Sequence, residues 1–211
     1  MLENKNIYWL GGSSCAGKST LAQMVAEQFH LKLYSCDEHF NGHLKEIDKT
    51  KQPAMYKVSS MTANEAFFNR SVDEQLRVYG QSFKEDFLFV INDLARLEDK
   101  EIVVEGNQLL PSLVLPYLKE NHKAIWVVPT EYFQRKQYRK RSWMNEIIRE
   151  TDEPETAFEN WMTRDALFAK HIVKEAKQLK LNLLEVNGEK DIRENFNLVC
   201  KYLRIEGRMR Y

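Results

Sequence analysis

One stretch of eight residues constrains the fold of this chain more than any other. It matches the pattern G-x-x-x-x-G-K-[ST] without a gap and reads Gly12-Ser13-Ser14-Cys15-Ala16-Gly17-Lys18-Ser19. An apolar run over residues 7–10 precedes it, and an amphipathic pattern with Leu21, Val25 and Phe29 at spacing four follows it. The sequence therefore predicts a buried strand, a phosphate-binding loop and a helix in direct succession.

The chemistry of such a loop is the binding of phosphate. Its glycines let the backbone curl so that successive N–H groups point at phosphate oxygens, and the helix that follows directs its positive end at the same anion. We expect Lys18 to neutralise the β- and γ-phosphates and the Ser19 hydroxyl to ligate Mg²⁺. The predicted nucleotide-binding residues of this loop are Gly12, Ser13, Ser14, Cys15, Ala16, Gly17, Lys18, Ser19 and Thr20.

The sequence also narrows the class of nucleotide-binding protein. A GTPase would need a guanine-reading N-K-x-D motif, and none is found: the segment 187–190 reads Asn-Gly-Glu-Lys, which has the wrong order. The D-x-x-G motif of switch GTPases is absent as well. What remains is a compact phosphotransferase or an ATPase.

Composition excludes several other classes of protein. Lys+Arg and Asp+Glu each number 31 in the 211 residues, so a protein that coats nucleic acid is disfavoured. Apolar runs such as 87–91 are far shorter than the roughly 20 residues that a bilayer requires, and we expect no membrane partner. The cysteines are too few for a disulfide framework or a metal cage, and the N-terminus lacks a signal-peptide pattern, which predicts a cytoplasmic protein.

The rest of the chain alternates between predicted strands and helices, which indicates one α/β domain over residues 1–211 with a parallel sheet. Ser71 and Glu74 are spaced as a capping box, and they open a helical pattern that is either one helix or two helices broken near Gly80. Further strands are predicted at 31–36, 101–105, 123–128 and 182–186, and further helices at 130–141, 157–179 and 191–203. The segments 38–70 and 142–156 fit no alternation and are expected to be substrate-binding elements or lids.

Two carboxylates follow predicted strands. Asp37 comes after the second strand, and Glu105 ends the third and is followed by Gly106. Because ligands bind beyond the carboxyl ends of parallel strands, we expect both to face the phosphate loop, where a carboxylate can accept a hydroxyl proton or hold Mg²⁺ through water. A turn or helix cap is the alternative for Asp37. Glu105 ends a buried strand, where a carboxylate must either be paired with another group or take part in ligand binding or catalysis. Gly106 is expected to leave space beside it for ligand or water.

A basic segment follows the fourth predicted strand. Arg135 and Arg139 lie four residues apart and share one face of the predicted helix. Guanidinium groups bind phosphate oxygens and stack on purines, so an arginine on a closing lid can stabilise the transferring phosphoryl group, although a solvated basic helix is the alternative. The neighbouring Lys140 and Arg141 are interpreted as surface residues. Arg149 lies in the polar segment after this helix, and Arg164 lies in the next predicted helix.

Taken together, these residues resemble the P-loop kinases that act on small molecules. This group includes nucleoside monophosphate kinases, uridine kinase, shikimate and gluconate kinases and chloramphenicol phosphotransferase. The phosphate loop is the specific part of the resemblance; Asp37, the Glu105-Gly106 strand end and the arginines after a proline agree with it. The chain departs from shikimate kinases because it has no clear D-x-D after the second strand.

The resemblance implies a fold and a set of roles. It implies a P-loop fold with a five-stranded parallel sheet in the order 2-3-1-4-5, a lid at 142–156 and a helical acceptor-binding region at 38–98. It also implies ATP and Mg²⁺ as cofactors. Asp37 resembles the catalytic base, Arg135 resembles the arginine that stacks on adenine, and the segment 186–188 resembles the adenine-side loop.

The predicted activity is therefore ATP- and Mg²⁺-dependent transfer of the γ-phosphate to a small molecule, at a hydroxyl. The predicted catalytic residues are Lys18, Asp37, Glu105 and Arg139, and the predicted metal-binding residues are Ser19 and Glu105. One alternative is a nucleoside monophosphate kinase, in which Arg70 or Arg77 would bind the acceptor phosphate. The other is a regulatory ATPase without a small-molecule acceptor, for which an exposed apolar patch rather than a closed pocket would be expected.

Overall fold

A computed structural model of the protein describes residues 2–205. Its strands form one parallel sheet in the order β2-β3-β1-β4-β5. The strands are β1 (Asn6–Gly12), β2 (Lys32–Ser35), β3 (Glu101–Glu105), β4 (Ala124–Pro129) and β5 (Asn182–Val186). The α/β class predicted from the sequence and the strand order implied by the resemblance are both confirmed.

Helices cover both faces of this sheet. The α-helices within residues 2–205 are α1 (Lys18–Phe29), α2 (Cys36–His43), α3 (Pro53–Ser60), α4 (Ala63–Phe67), α5 (Val72–Arg96), α6 (Pro111–Val114), α7 (Glu131–Tyr138), α8 (Ser142–Arg149), α9 (Pro154–Gln178) and α10 (Ile192–Leu203). Short 3₁₀ turns occupy Leu115–Tyr117 and Asn121–Lys123. In this part of the chain, no helix combines the length and the apolar content that a bilayer crossing requires.

The alternation of side chains along β1 divides the core into two layers. Tyr8 and Leu10 pack in one cluster with residues of α1 and α10. Trp9 points to the opposite face and packs in a second cluster with residues of α5 and α9, including Phe87 and Phe168. All three β1 side chains are almost fully buried, as expected for a central parallel strand that is covered on both faces.

A third cluster connects the phosphate loop with the helices above it. Cys15 of the loop packs in this cluster with Tyr138 at the end of α7, Met144 of α8, and Trp161 of α9. The cluster fixes α8 and α9 over the carboxyl edge of the sheet, where the sequence predicts the ligands to bind.

Helix starts and breaks differ in part from the sequence predictions. Helix α5 runs without interruption through Gly80. Ser71 accepts a bond from the backbone N–H of Glu74, but the Glu74 carboxylate pairs with Lys57 at 2.7 Å, so the predicted capping box is only half formed. Helix α2 begins at Cys36, where the second strand was expected to end. The segments that fit no alternation contain the short helices α3, α4 and α8.

Candidate active site

The phosphate loop turns sharply between β1 and α1. Gly12 has φ of +136°, and a Cβ atom there would lie 1.9 Å from the carbonyl oxygen of Val127. Cys15 and Gly17 both have left-handed backbone conformations, with φ of 68° and 80°. Successive residues of this kind curl the backbone into a concave turn at the start of α1, which is the shape that binds an anion.

Lys18 is buried at the base of this loop. Its Nζ donates a hydrogen bond of 2.9 Å to the carbonyl oxygen of Ser13. Burial lowers the pKa of Lys18, whereas the negative charges of Glu105 and Asp37 act in the opposite direction. Burial of an ammonium group costs free energy unless an anion is near, and the phosphate of a bound nucleotide would supply such an anion.

Glu105 is held between two hydroxyl groups. Ser19 of α1 donates to its Oε2 at 3.1 Å, and Ser35 at the end of β2 donates to its Oε1 at 2.6 Å. The Glu105 side chain is only 1% exposed, so the buried carboxylate is paired, as its place at the strand end led us to expect.

The neighbouring oxygen atoms of Ser19 and Glu105 fit a magnesium ion, which prefers hard oxygen ligands. Within residues 2–205, no group of three or more His, Cys, Asp or Glu side chains is arranged to hold a metal ion. A cation here would therefore depend on water and phosphate oxygens for its remaining ligands, as Mg²⁺ does in phosphoryl-transfer sites.

The space beside Gly106 is occupied by protein, which corrects the expectation that it would admit ligand or water. A Cβ atom on Gly106 would lie 2.6 Å from Cβ and 2.8 Å from Sγ of Cys36, and 2.7 Å from Oε1 of Gln108. The glycine thus allows the first residue of α2 to pack against the end of β3. This contact fixes the position of the next residue, Asp37.

Asp37 lies in the first turn of α2 and is exposed. Its carboxylate makes no hydrogen bond with any other residue in the range 2–205, and the N-cap position of α2 belongs to Ser35. The alternative that Asp37 caps the helix therefore has no support in the structure. Its neighbour His39 has a local role, because it stacks on Tyr34 at 4.1 Å and its Nδ1 lies 2.8 Å from the carbonyl oxygen of Ser35.

A cavity of about 500 Å³, here called the central cavity, lies between the phosphate loop and the helices α3, α4, α5 and α9. Ser14 of the loop and Asp37 both line it. More than half of its lining residues belong to the segment 38–98. Trp143 of α8 also lines it, so the segment 142–156 contributes to its wall.

Two residues of the central cavity that the sequence analysis did not single out are tied to the phosphate loop. Asn107 donates from Nδ2 to Ser14 Oγ at 3.1 Å and to Tyr79 Oη at 3.3 Å. Its position two residues after Glu105, at the same strand end, is the sequence signal that would have found it. Tyr79 lies on the buried face of α5, and nothing in the sequence distinguishes it from the other residues of that face as a site residue.

Arg164 also lines the central cavity. Its Nε and Nη2 lie 2.8 and 2.7 Å from Oδ1 of Asp165. The other carboxylate oxygen, Oδ2, accepts a bond of 2.6 Å from Tyr138. Arg164 and Asp165 interrupt the apolar face of α9, between Trp161 and Phe168. Because charged residues are rarely buried without a purpose, two adjacent charges on the apolar face of a predicted helix indicate a functional site, and the sequence could have revealed this one.

The two arginines that the sequence analysis assigned to the nucleotide lie away from the phosphate loop in the structure. Arg135 pairs with Glu159 at 2.8 Å and with Glu131 at 3.4 Å. Arg139 is exposed and lies 5.7 Å above the ring of Phe158, in an open groove beside α8. Neither side chain lines the central cavity or borders the phosphate loop.

Arg141 takes the place next to the loop, which corrects its interpretation as a surface residue. It lines the central cavity and also a second cavity of about 340 Å³. That second cavity, here called the α7–β5 groove, is bordered by the loop residues Cys15–Gly17, by Phe133 and Gln137 of α7 and by Val186. The ring of Phe133 packs against Gly188, where a Cβ atom would come within 2.7 Å of it.

The sequence matches no protein-family profile and no curated protein. Among solved structures, the chain is similar to TT1252 from Thermus thermophilus, with 14% identity over 96% of this chain and 97% of that chain and a TM-score of 0.51. It is also similar to shikimate kinase from Acinetobacter baumannii in complex with shikimate, with 11% identity, 99% and 98% coverage and a TM-score of 0.48. Shikimate kinase from Aquifex aeolicus gives 14% identity, 97% and 100% coverage and a TM-score of 0.39.

At these identities the likeness is one of fold. The phosphate loop after β1 and the strand order define the class, and the chain has a P-loop fold.

Proposed function

We propose that the protein transfers the γ-phosphate of ATP to a hydroxyl group of a small molecule and that it requires Mg²⁺. The observation that carries this proposal is the position of the central cavity, which borders both Ser14 of the phosphate loop and the carboxylate of Asp37. A molecule in this cavity would have one end beside the phosphates and beside a potential base.

The chemical step follows from this arrangement. The acceptor oxygen attacks the γ-phosphorus in line, and a new O–P bond forms while the bond to the bridging oxygen breaks and ADP leaves. The proton of the hydroxyl passes to the carboxylate of Asp37. Lys18 and the loop N–H groups neutralise the charge that develops on the phosphate oxygens. Ser19, and Glu105 through water, would hold Mg²⁺, which neutralises phosphate charge when bound.

Arg141 takes the role that the sequence analysis gave to Arg139. It lines both the central cavity and the α7–β5 groove, and this supports a role for its guanidinium at the phosphoryl group that passes from donor to acceptor. The α7–β5 groove would hold the base of the nucleotide. The segment 142–156 would act as the lid, since Trp143 of α8 lines the central cavity.

Nucleoside monophosphate kinase activity is a second candidate, because Arg70 lines the central cavity and would bind an acceptor phosphate. The rings of Phe67 and Trp161 argue against it, since they stack at 4.0 Å with an interplanar angle of 9° and leave no slot between them for a base. A regulatory ATPase would not need a cavity that is lined by a carboxylate beside its phosphate loop, and this favours a kinase.

The test is a screen for ADP release with ATP and Mg²⁺ against nucleosides, sugars, hydroxy acids and aminoglycoside-like alcohols. At least one acceptor should raise ADP release well above the rate without acceptor, and the Lys18→Ala variant should lose that increase. A steady ADP release that no acceptor changes would instead support the regulatory ATPase.

A further inference from the structure

Helix α2 carries Asp37, the proposed base, and is buried only at its two ends. Among its eight residues, Cys36 at the start and His43 at the end are the buried ones. Cys36 packs against Gly106 at the end of β3. Because so short a helix is marginally stable without tertiary contacts, these two anchors determine where α2, and with it Asp37, lies.

The anchor at the end of α2 is a histidine between two carboxylates of α5. Nδ1 of His43 lies 2.6 Å from Oδ1 of Asp86, and Nε2 lies 2.9 Å from Oδ2 of Asp93. His43 is only 5% exposed, and Asp86 is fully buried. The two carboxylates lie two helical turns apart on α5, and a protonated imidazole, which has two N–H donors, can donate to both.

Asp86 depends on this contact for its neutralisation. Within residues 2–205, His43 is its only salt-bridge partner, and its Oδ2 atom is buried without a hydrogen-bond partner. A buried carboxylate that loses its cation is strongly destabilising. A neutral imidazole has one donor and one acceptor, so it could donate to only one of the two carboxylates while its bare nitrogen faced the other. The contact between α2 and α5 is therefore strongest while His43 is protonated.

Two neutral groups lie beside the carboxylates. Tyr34 of β2 donates to Oδ2 of Asp93 at 2.8 Å, and burial raises the pKa of Tyr34, so its hydroxyl stays neutral at ordinary pH. Burial also raises the pKa of the Cys36 thiol, and the negative charge of Asp86 acts in the same direction. Neither group can replace the positive charge of His43.

His39 is the other histidine close to this contact. Its ring centre lies 6.5 Å from that of His43, and its Nδ1 faces a backbone carbonyl oxygen. Phe89 of α5 stacks on His43 at 5.2 Å and adds no charge. The charged residues that follow α2, Lys45 and Glu46, are exposed. The charge of His43 itself is thus the one that can change the contact between α2 and α5.

We propose that His43 is a positioning residue: by bridging Asp86 and Asp93, it holds α2 against α5 and keeps the carboxylate of Asp37 at the central cavity. This inference rests on the proposed function, in which Asp37 is the base. Burial lowers the pKa of His43, but the hydrogen bonds to the two carboxylates outweigh it, and the net pKa lies above 6.5. The bridge is therefore complete below pH 6.5 and is lost as the pH rises through the folded-state pKa.

Hydrogen exchange tests the bridge without any ligand. The protection factors of the amides of residues 40–44 are measured at pH 6 and pH 9, after correction for the intrinsic exchange rate at each pH. In wild type, we expect the protection to fall about tenfold to a hundredfold between these values, the usual worth of a hydrogen bond to a charged group. His43→Gln should show low protection at both pH values. His43→Arg stays positively charged and should keep its protection at pH 9.

His39→Gln is the matched control, because it removes the other histidine of the same helix and should leave the fall in protection unchanged. Asp93→Asn removes the partly exposed partner and should reduce the fall even if His43→Arg folds poorly. The amides of α1 are the internal reference and should change less than those of α2. Protection of α2 that does not change with pH in wild type, or an equal fall in α1 and α2, would overturn the proposal.

Turnover connects the bridge with Asp37. With ATP, Mg²⁺ and the most active acceptor of the screen, turnover in wild type should fall on the alkaline side, and it should fall less in His43→Arg. The KM for ATP should stay nearly constant, because Asp37 does not line the α7–β5 groove. Turnover that is independent of pH while the protection of α2 falls would overturn the link to Asp37. If no acceptor raises ADP release, the proposed function fails, and the exchange measurement still decides whether His43 holds α2.

Discussion

The hydroxyl of Ser19 lies 3.1 Å from Oε2 of Glu105 and joins the first turn of α1 to the end of β3. The second carboxylate oxygen accepts a bond from Ser35, so Glu105 is oriented from two sides. This pair brings together one neutral and one charged oxygen ligand at the edge of the phosphate loop. A magnesium site at this edge would need little rearrangement of the protein.

If the proposed function is right, replacing Glu105 with glutamine should raise the Mg²⁺ concentration that the activity requires. The variant keeps the shape and the contact with Ser35 but removes the negative charge that would hold the ion through water. We expect the half-saturating Mg²⁺ concentration to rise about tenfold to a hundredfold, as is usual for a lost metal-orienting partner. The measurement is activity as a function of Mg²⁺, with Glu101→Gln at the exposed start of β3 as control. An unchanged Mg²⁺ dependence would contradict the assignment of Glu105.

Lys18→Ala should abolish most of the activity and leave the fold intact. The Nζ group of Lys18 makes one hydrogen bond, to a loop carbonyl, and would face the phosphates. We expect turnover to fall by roughly 10²- to 10³-fold, the usual cost of losing a charge-stabilising donor. Turnover is measured beside a thermal melt, with the exposed Lys136→Ala as control. Wild-type turnover in the Lys18 variant would exclude the proposed role of the loop.

The arginines offer a direct comparison between sequence and structure. Arg141→Ala should lower turnover by an order of magnitude or more, because it removes the guanidinium that lines both cavities. Arg135→Ala and Arg139→Ala should have smaller effects, since one is held in ion pairs and the other lies in an open groove. The measurement is the turnover of the three variants by steady-state kinetics. A larger loss for Arg139→Ala would restore the role that the sequence analysis gave it.

Features that depend on neighbouring residues could be predicted from the sequence. The phosphate loop is contiguous in the sequence, and its glycines by themselves indicate a sharp turn of the backbone. The positions of Asp37 and Glu105 follow from a rule about strand ends, and the paired state of Glu105 follows from its burial.

Features that depend on contacts between distant elements could not be predicted. The space at Gly106 is filled by Cys36, which comes from another strand end, so the glycine alone did not reveal its use. Arg70 and Arg164 lie on elements almost a hundred residues apart, and only the packing of α9 on α4 and α5 brings them to one cavity. The periodicity of a basic helix likewise does not say which arginine faces the loop.

A buried histidine should make stability depend on pH. His43, at the end of α2, contacts Asp86 at 2.6 Å through Nδ1 and Asp93 at 2.9 Å through Nε2, so both ring nitrogens face carboxylates of α5. Burial lowers the pKa of His43, but the hydrogen bonds to Asp86 and Asp93 outweigh it and the net pKa is raised above the ordinary 6.5. Asp93 also accepts a bond from Tyr34 at 2.8 Å.

Because the pKa is higher in the folded state, the stabilisation is complete below pH 6.5 and is lost as the pH rises through the folded value. The difference in melting temperature between wild type and His43→Gln should be largest just below pH 6.5 and should narrow on the alkaline side. The exposed His171→Gln serves as control and should follow wild type at each pH. A difference that stays constant from pH 6 to pH 9 would show that His43 does not act through its charge.

Asp37→Asn should distinguish a hydroxyl acceptor from a phosphate acceptor. The substitution keeps the shape of the side chain but removes the negative charge and the proton-accepting oxygen. If Asp37 accepts the proton of the hydroxyl, turnover should fall by about 10²-fold or more, the usual worth of general base catalysis. The affinity for ATP should change little, because Asp37 lines the central cavity and not the α7–β5 groove.

The control is Glu38→Gln, which removes a charge from the next residue in the same helical turn. Glu38 is exposed and does not line the central cavity, so this variant should keep wild-type turnover. If the acceptor group is itself a phosphate, no proton need be removed, and the loss in Asp37→Asn should be only a few-fold. Asp37 makes no side-chain hydrogen bond with the part of the chain that the structure describes, so the melting temperature of the variant should stay close to that of wild type. A folded Asp37→Asn variant with nearly full turnover would therefore transfer the assignment from hydroxyl kinase to monophosphate kinase.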